Sequence, residues 1–367
     1  MKKIISGLAL IVLITACKKT EMPVQQEQQT AAAAATKPPP PPPPPPGNAN
    51  PAFAFSDYKK INQQLSVLSI YVMDVTGANP TPVYSNYSGN GNNIVVNYPD
   101  YPAWSPDGSK LCFTLNHKDL YTLNISIASG VPIGSNATKI GDGVAGGGSY
   151  KQGIWRPGAN QIACVWKKTG DPDKIRMLPS AGGSPSDLYT AASTDWTLED
   201  DIAFKSNGSN LVFSERQVST GNVFLKVLDV TTSLVIKSID LSQYKSIREV
   251  EWAKSSGSNT VFITTEPRCD SINNGGAHSL HKVDVGAASP SLTFLRLSVG
   301  NICISPDDTK ITVPVGIAAV CNPNPPFCCG FSYSGASILT LATNVYTSTG
   351  YEGTEGFGRD NHYDWKR

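Results

Sequence analysis

Polar and aromatic residues recur as pairs, each at a fixed distance before a bulky apolar anchor. The anchors are Trp104, Trp155, Phe204, Trp252, Ile304 and Trp365. Four and three residues upstream stand Asp100 and Tyr101, Lys151 and Gln152, Asp200 and Asp201, Arg248 and Glu249, Gly300 and Asn301, and Asn361 and His362. Apart from Gly300 these are polar or aromatic. Six such pairs around one opening would offer mixed charge and aromatic edges to a polar, partly apolar ligand such as a peptide or a sugar. The other reading is that these positions are simply wet strand starts. Glu199-Asp200-Asp201 is the better acid/base candidate among the paired carboxylates, since Asp307-Asp308 falls in a turn away from the other polar pairs.

The elements that must position these residues follow from the anchors' spacing of 51, 49, 48, 52 and 61 residues. In the clearest copy a strand ends at Trp104, Ser105-Pro106-Asp107-Gly108 makes a tight turn, and Leu111, Cys112 and Phe113 lead a second strand. Third strands of roughly alternating polarity follow at 119–125, 174–178, 222–230, 278–285 and 337–341. A period of about 40–50 residues built from short strands means radial repetition. The expected fold is all-β, a six-bladed β-propeller of four-stranded blades. The N-terminal part offers a second strand (52–56), a third (70–74) and a fourth from Pro80, while 362–367 offers only a first. The last blade is therefore expected to close by joining the N-terminal strands to the C-terminal strand, which also covers exposed edges.

The innermost strands would begin on one face. The longer connections gather there too, at 84–98, 142–151, 189–199, 266–277, 315–334 and 346–360. Elaborated loops on one face suit a binding rim. Tyr84, Tyr87, Tyr98, Tyr101, Tyr189, Tyr333, Tyr346, Tyr351, Tyr363 and Trp196 either supply it with aromatic surface or pack the loops together.

Residues 1–16 read as a signal peptide, with Lys2 and Lys3 before an apolar stretch too short to span a bilayer. Residues 17–51 read as a tether, in which Pro38–Pro46 forms an extended rod of about 28 Å at about 3.1 Å per residue. The propeller occupies 52–367. The charged fraction is 16% and the net charge +1, without the basic stripe that nucleic acid requires. Of eight cysteines, Cys112, Cys164 and Cys303 sit in apolar strands as small hydrophobes. Cys269, Cys321, Cys328 and Cys329 read as loop residues and are candidates for disulfides, with three pairings open. A bridge from Cys269 to the 321–329 segment is feasible between neighbouring blades. His117, His278 and His362 fall on loops or strand starts without metal-ligand spacing, and His281 reads as structural, so no metal and no cofactor is expected. There is no Gly-x-Ser-x-Gly elbow and no phosphate loop. Gly141-x-Gly143-x-x-Gly146 runs on into Gly147 and Gly148 instead of a helix. No catalytic residue is assigned.

Two resemblances add to this. Ile14-Thr15-Ala16-Cys17 resembles a bacterial lipobox, which implies lipidation of Cys17 by diacylglycerol and a further acyl chain of the palmitate class. That anchors the chain stably. Lys18 implies the outer membrane by the same resemblance. The segment Ala103-Trp104-Ser105-Pro106-Asp107-Gly108, with 70–74 and 76–80, resembles the repeat of TolB-like propellers, a WD40-like family, and the likeness covers 52–367. Asp-Gly in the turn becomes Gly158-Ala159, Asn207-Gly208, Ser255-Ser256 and Asp307-Asp308 in the other copies. The resemblance implies an envelope propeller that binds a protein or a glycan, here expected as a monomer whose membrane contact is the lipid alone. Lyases of that family use His ligands to cleave uronate oligosaccharides. A carbohydrate-active lyase or hydrolase using rim carboxylates and His is one alternative, and a structural envelope protein is another.

Overall fold

The computed structural model describes residues 51–60, 66–74, 80–88, 95–268, 278–297, 302–321, 329–343, 345–348 and 363–365. Cys17 with the leader and most of the tether, Cys269, Cys328, Asn301 and His362 lie outside them. Among the described residues the strands form six four-stranded antiparallel sheets and one two-stranded ribbon, Tyr87–Ser88 with Val95–Val96.

Each four-stranded sheet is one blade, ordered from the axis outward. Blade one runs Pro99–Trp104, Lys110–Leu115, Asp119–Ala128 and Val131–Gly141. Blade two runs Ser149–Trp155, Gln161–Lys167, Lys174–Pro179 and Ser186–Thr190. Blade three runs Trp196–Phe204, Asn210–Gln217, Val223–Asp229 and Leu234–Asp240. Blade four runs Tyr244–Trp252, Thr260–Pro267, Ser279–Asp284 and Leu292–Leu297. Blade five runs Cys303–Ile304, Lys310–Cys321, Cys329–Thr340 and Val345–Ser348. Blade six takes Tyr363–Trp365 as its innermost strand, followed by Phe53–Lys60, Ser66–Met73 and Thr81–Ser85.

The expected closure is present. Phe53 pairs with Trp365 and Phe55 with Tyr363. The core is divided among the blade interfaces. One cluster, around Phe53, Phe55, Met73, Cys303 and Ile338, lies between blades five and six. A larger one around Trp252 joins blades three, four and five. Burial of these side chains is what presses one blade on the next, at about 25 cal/mol per Å² of apolar surface. The anchor residues close each interface: Trp104, Trp155, Phe204, Trp252 and Ile304 are all buried.

The turn after each anchor needs one residue in the left-handed region. Gly108, Gly158, Gly208 and Gly257 supply it with φ of 67°, 70°, 69° and 79°. Asp308 takes the slot in blade five at φ 57° and gains a partner for it. Its carboxylate accepts from the backbone N–H groups of Lys254 and Ser255 in blade four. In blades one and five the same turn is locked by a carboxylate. Ser105 Oγ donates to Asp107 at 2.6 Å, and Ser305 Oγ to Asp307 at 2.5 Å. These hydroxyl bonds, with the backbone N–H groups of Ser109 and Thr309, hold both carboxyls down at a pKa of about 2.

Two elements differ from the sequence expectation. Segment 315–334 is not a loop throughout, because the second and third strands of blade five continue to Cys321 and from Cys329. The two cysteines are therefore strand residues, directly opposed in the ladder. Segment 84–98 carries its own short ribbon. Cys112, Cys164 and Cys303 are buried thiols outside any disulfide, and burial pushes the Cys164 thiol far up.

Candidate functional site

The paired polar positions coincide with a β-bulge in the innermost strand of each of blades one to four. The register breaks between Asp100 and Ala103, Tyr150 and Gly153, Leu198 and Ile202, and Ile247 and Glu249. Tyr101, Lys151, Gln152, Asp200, Asp201 and Arg248 lie inside these breaks. Asp100 and Glu249 stand at their edges. A bulge puts extra residues opposite the partner strand and re-aims their side chains. Tyr101 marks the distortion with φ of 54°.

The two positions of each pair behave differently. The residue nearer the anchor reaches the next blade. Gln152 Oε1 accepts from Ile202 N at 2.8 Å, and Asp201 Oδ2 from Val250 N at 2.6 Å. Both acceptors serve the backbone two residues before the neighbour's anchor, so the same clasp is made twice around the ring. Asp201 and Glu249 are buried. The residue farther from the anchor is more available in blades three and four, while both are half-buried in blade two. Lys151 is half-buried, and Asp200 meets Lys167 of blade two at 2.7 Å with 37% of its side chain exposed. Arg248 is exposed and donates to Glu266 Oε2 from Nε at 2.9 Å and Nη2 at 2.6 Å. In blade one the order is reversed: Asp100 is buried and accepts from Tyr101 N at 2.8 Å, whereas Tyr101 is half-buried.

Lys167 and Glu266 were not among the sequence candidates. Each stands at the end of a second strand, where the ladder brings it beside a bulge. Only the register reveals that. Desolvation raises the Glu266 pKa, but Lys245 and Arg248 outweigh it and hold the carboxyl at about 2, against an ordinary 4.5. The folded-state value lies below the unfolded one, so this contribution is complete above about pH 4.5 and disappears as pH falls towards 2. Both cations are more than half exposed, which screens the effect to on the order of 1 kcal/mol. Thermal melts at pH 6 and pH 2.5 should show Glu266→Gln losing less stability on acidification than the wild type. Parallel losses would remove Glu266 from the acid response.

The aromatic residues divide in the same way. Tyr87 and Tyr98 are exposed at 42% and 45%. Tyr84 packs on Phe113 with ring centroids 4.7 Å apart, Tyr189 on Phe213 at 4.8 Å and Trp196 on Phe224 at 5.7 Å. Those three hold blades and loops together. The side chains of Tyr333, Tyr346, Tyr351 and Tyr363 lie outside the described set. The Gly141–Gly148 run wraps Trp166: a Cβ on Gly148 would stand 2.5 Å from the indole, so close packing explains the glycine there. His117 is exposed beside Tyr101, with rings 6.1 Å apart, and His281 is buried against Tyr244. Among the described residues no three His, Cys, Asp or Glu side chains converge to hold a metal ion.

Two concavities lie away from the rim. One, of about 40 Å³, sits at the anchor end of the innermost strands between Trp104, Trp155, Phe204 and the Glu251–Lys254 pair. The other, of about 320 Å³, opens between blades four and five over Phe262, Leu295 and Leu341.

Known structures share this fold. TolB from Acinetobacter baumannii superposes with a TM-score of 0.52 at 12% identity, over 87% of this chain and 67% of that one. The fold is that of a TolB-like β-propeller. Weaker likenesses include a putative TolB from Agrobacterium tumefaciens, with a TM-score of 0.48 at 11% identity over 87% of this chain and 99% of that one. An oligogalacturonate lyase in complex with manganese follows, with a TM-score of 0.41 at 11% identity over 73% and 85%. No family model matches the chain, and no curated protein matches it in sequence. At these identities the likeness concerns the fold alone.

Adjacent carboxylates in blade three separate fold from rim. Asp201→Ala leaves the buried Val250 N–H without its acceptor and should cost about 1–3 kcal/mol. Asp200→Ala loses a partly exposed ion pair and should cost less than about 1 kcal/mol. Urea denaturation of the two variants tests this, and equal midpoints would deny Asp201 its clasp.

Proposed function

We propose that this chain is a lipid-anchored envelope module that binds a protein or a glycan through its looped face, as a monomer. The observation that carries the reading is the bulge shared by blades one to four. The breaks carry or border Asp100, Tyr101, Lys151, Gln152, Asp200, Asp201, Arg248 and Glu249, and the reading assigns these to one opening, together with Asn301 and His362 by sequence position. The charged members of that set that are not buried, Lys151, Asp200 and Arg248, alternate in sign. With Tyr87 and Tyr98 on the same face, it suits a ligand with both polar and apolar surface. Cys17 is the assigned lipid site, and the proline run is the spacer between membrane and propeller.

The test uses the purified chain on a glycan array and in capture from envelope extracts. A ligand retained by the wild type should be lost about tenfold or more by Asp200→Ala/Arg248→Ala, equivalent to about 1.4 kcal/mol. Asp107→Ala, in a turn on the opposite face, should leave retention unchanged. Equal retention by the double variant, or loss with Asp107→Ala, would move the site elsewhere. In cells, Cys17→Ala should leave the membrane fraction. Persistence there after a salt wash would sink the lipid anchor. Release of unsaturated products from uronate oligosaccharides would favour the lyase alternative.

A further inference from the structure

We propose that Cys321 and Cys329 form a cross-strand disulfide that clamps the end of the blade-five hairpin. The two residues are the last opposed pair of the ladder between Lys310–Cys321 and Cys329–Thr340. Opposed residues of an antiparallel pair share a face, with Cα atoms about 4.5 or 5.5 Å apart depending on the pair type. Both separations fall within the roughly 4.4–6.8 Å that a disulfide spans. Among the described residues the ladder ends there. Residues 322–328 read Asn-Pro-Asn-Pro-Pro-Phe-Cys, and proline cannot donate to a continuing ladder.

The hairpin is also longer than its counterparts and weak in intrinsic strand preference. Its strands are 12 residues each, against 6, 7, 8 and 8 for the second strands of blades one to four. The register slips on both sides of Gly316. The extension contains Gly316, Ala318, Ala319, Gly330 and Gly335, residues of low strand propensity. A crosslink at the far end would support a strand pair whose residues have little preference for strand. Cys112, Cys164 and Cys303 do not compete for these thiols, because all three are buried in the inner strands of separate blades.

Bond formation needs an oxidant, which we assign to the disulfide class. One cysteine thiolate attacks the oxidant's S–S bond and forms a mixed disulfide. The second thiolate displaces it, and the oxidant leaves as two thiol groups that carry the two electrons and, net, the two cysteine protons. Because second strands end on the looped face, the clamp would lie on that face, whatever ligand the rim takes.

The test is disulfide mapping of the purified full chain after equilibration with oxidised glutathione. This reads the geometry independently of export. Free thiols are alkylated in denaturant without reductant, and chymotrypsin then cuts after Phe327, between the two cysteines. In Cys269→Ser/Cys328→Ser the two fragments should stay joined, with alkylation of Cys321 and Cys329 about tenfold below a reduced control. Circular dichroism matching the wild type confirms that this variant folds. In the wild type, tandem mass spectrometry should place the bond on Cys329 and not on Cys328. Full alkylation of Cys321 and Cys329 after oxidation would overturn the proposal, as would a wild-type bond from Cys321 to Cys269 or Cys328.

Discussion

Removal of residues 360–367 should lower the melting temperature by about 10 °C or more, and should do so cooperatively instead of fraying one end. The lost strand, Tyr363–Trp365, is the innermost of blade six and pairs with Phe53–Phe55. Phe53, Ala54 and Phe55 are fully buried in the closed ring. Truncation opens their pairing edge to water. Burying a phenylalanine is worth about 1.5–3 kcal/mol, so two of them with the ladder they support contribute on the order of 5 kcal/mol. That is comparable with the whole stability of many domains. The cluster of Phe53, Phe55, Met73, Cys303 and Ile338 joins the first and last parts of the chain, so its loss opens the ring between blades five and six. Calorimetry of the truncated chain is the measurement. Melting within about 2 °C of the intact protein would mean that the ring does not depend on its closing strand.

The architecture was legible because its signal is local and repeated. An anchor, a left-handed turn and a second apolar strand fall within about a dozen residues, and five copies reinforce one another. Closure was legible because the orphan strands at the two ends complement each other. The site was legible only as positions. Asp200 and Asp201 are neighbours of one residue type, yet one meets Lys167 near solvent and the other is buried under Val250 N. That distinction comes from a register break and from a blade about fifty residues away, and neither leaves a local trace. Gln152 reaching Ile202 N is the same case. The blade-five hairpin was misread for a related reason. Gly316, Ala318 and Gly330 have little intrinsic preference for strand, so 315–334 reads as a loop, while pairing across the ladder makes strand of 315–321 and 329–334.

Glu215→Ala should destabilise the domain by about 3–5 kcal/mol, well beyond any single rim substitution. Glu215 is 1% exposed in the second strand of blade three and forms an ion pair with Lys226 of the third strand. Tyr189 of blade two donates its hydroxyl to Glu215 Oε1 at 2.9 Å, so the carboxylate bridges two blades. Burial, then the Glu215 charge, raises the Tyr189 pKa and keeps the phenol a donor. Lys226 Nζ also lies 3.3 Å from the Tyr189 hydroxyl and 5.2 Å from the Trp196 ring centre. Removing Glu215 leaves the ammonium, whose side chain is 17% exposed, without its counter-ion and the phenol without its acceptor. The loss reflects that stranded charge more than the value of the pair, since taking both ions from water offsets most of their attraction. Glu215→Leu/Lys226→Met should therefore recover about half or more of the deficit, because it removes both charges and keeps the volume. Urea denaturation of the single and double variants reads the coupling directly. A double variant as unstable as Glu215→Ala would show that the carboxylate holds blades two and three together through Tyr189 and not through Lys226.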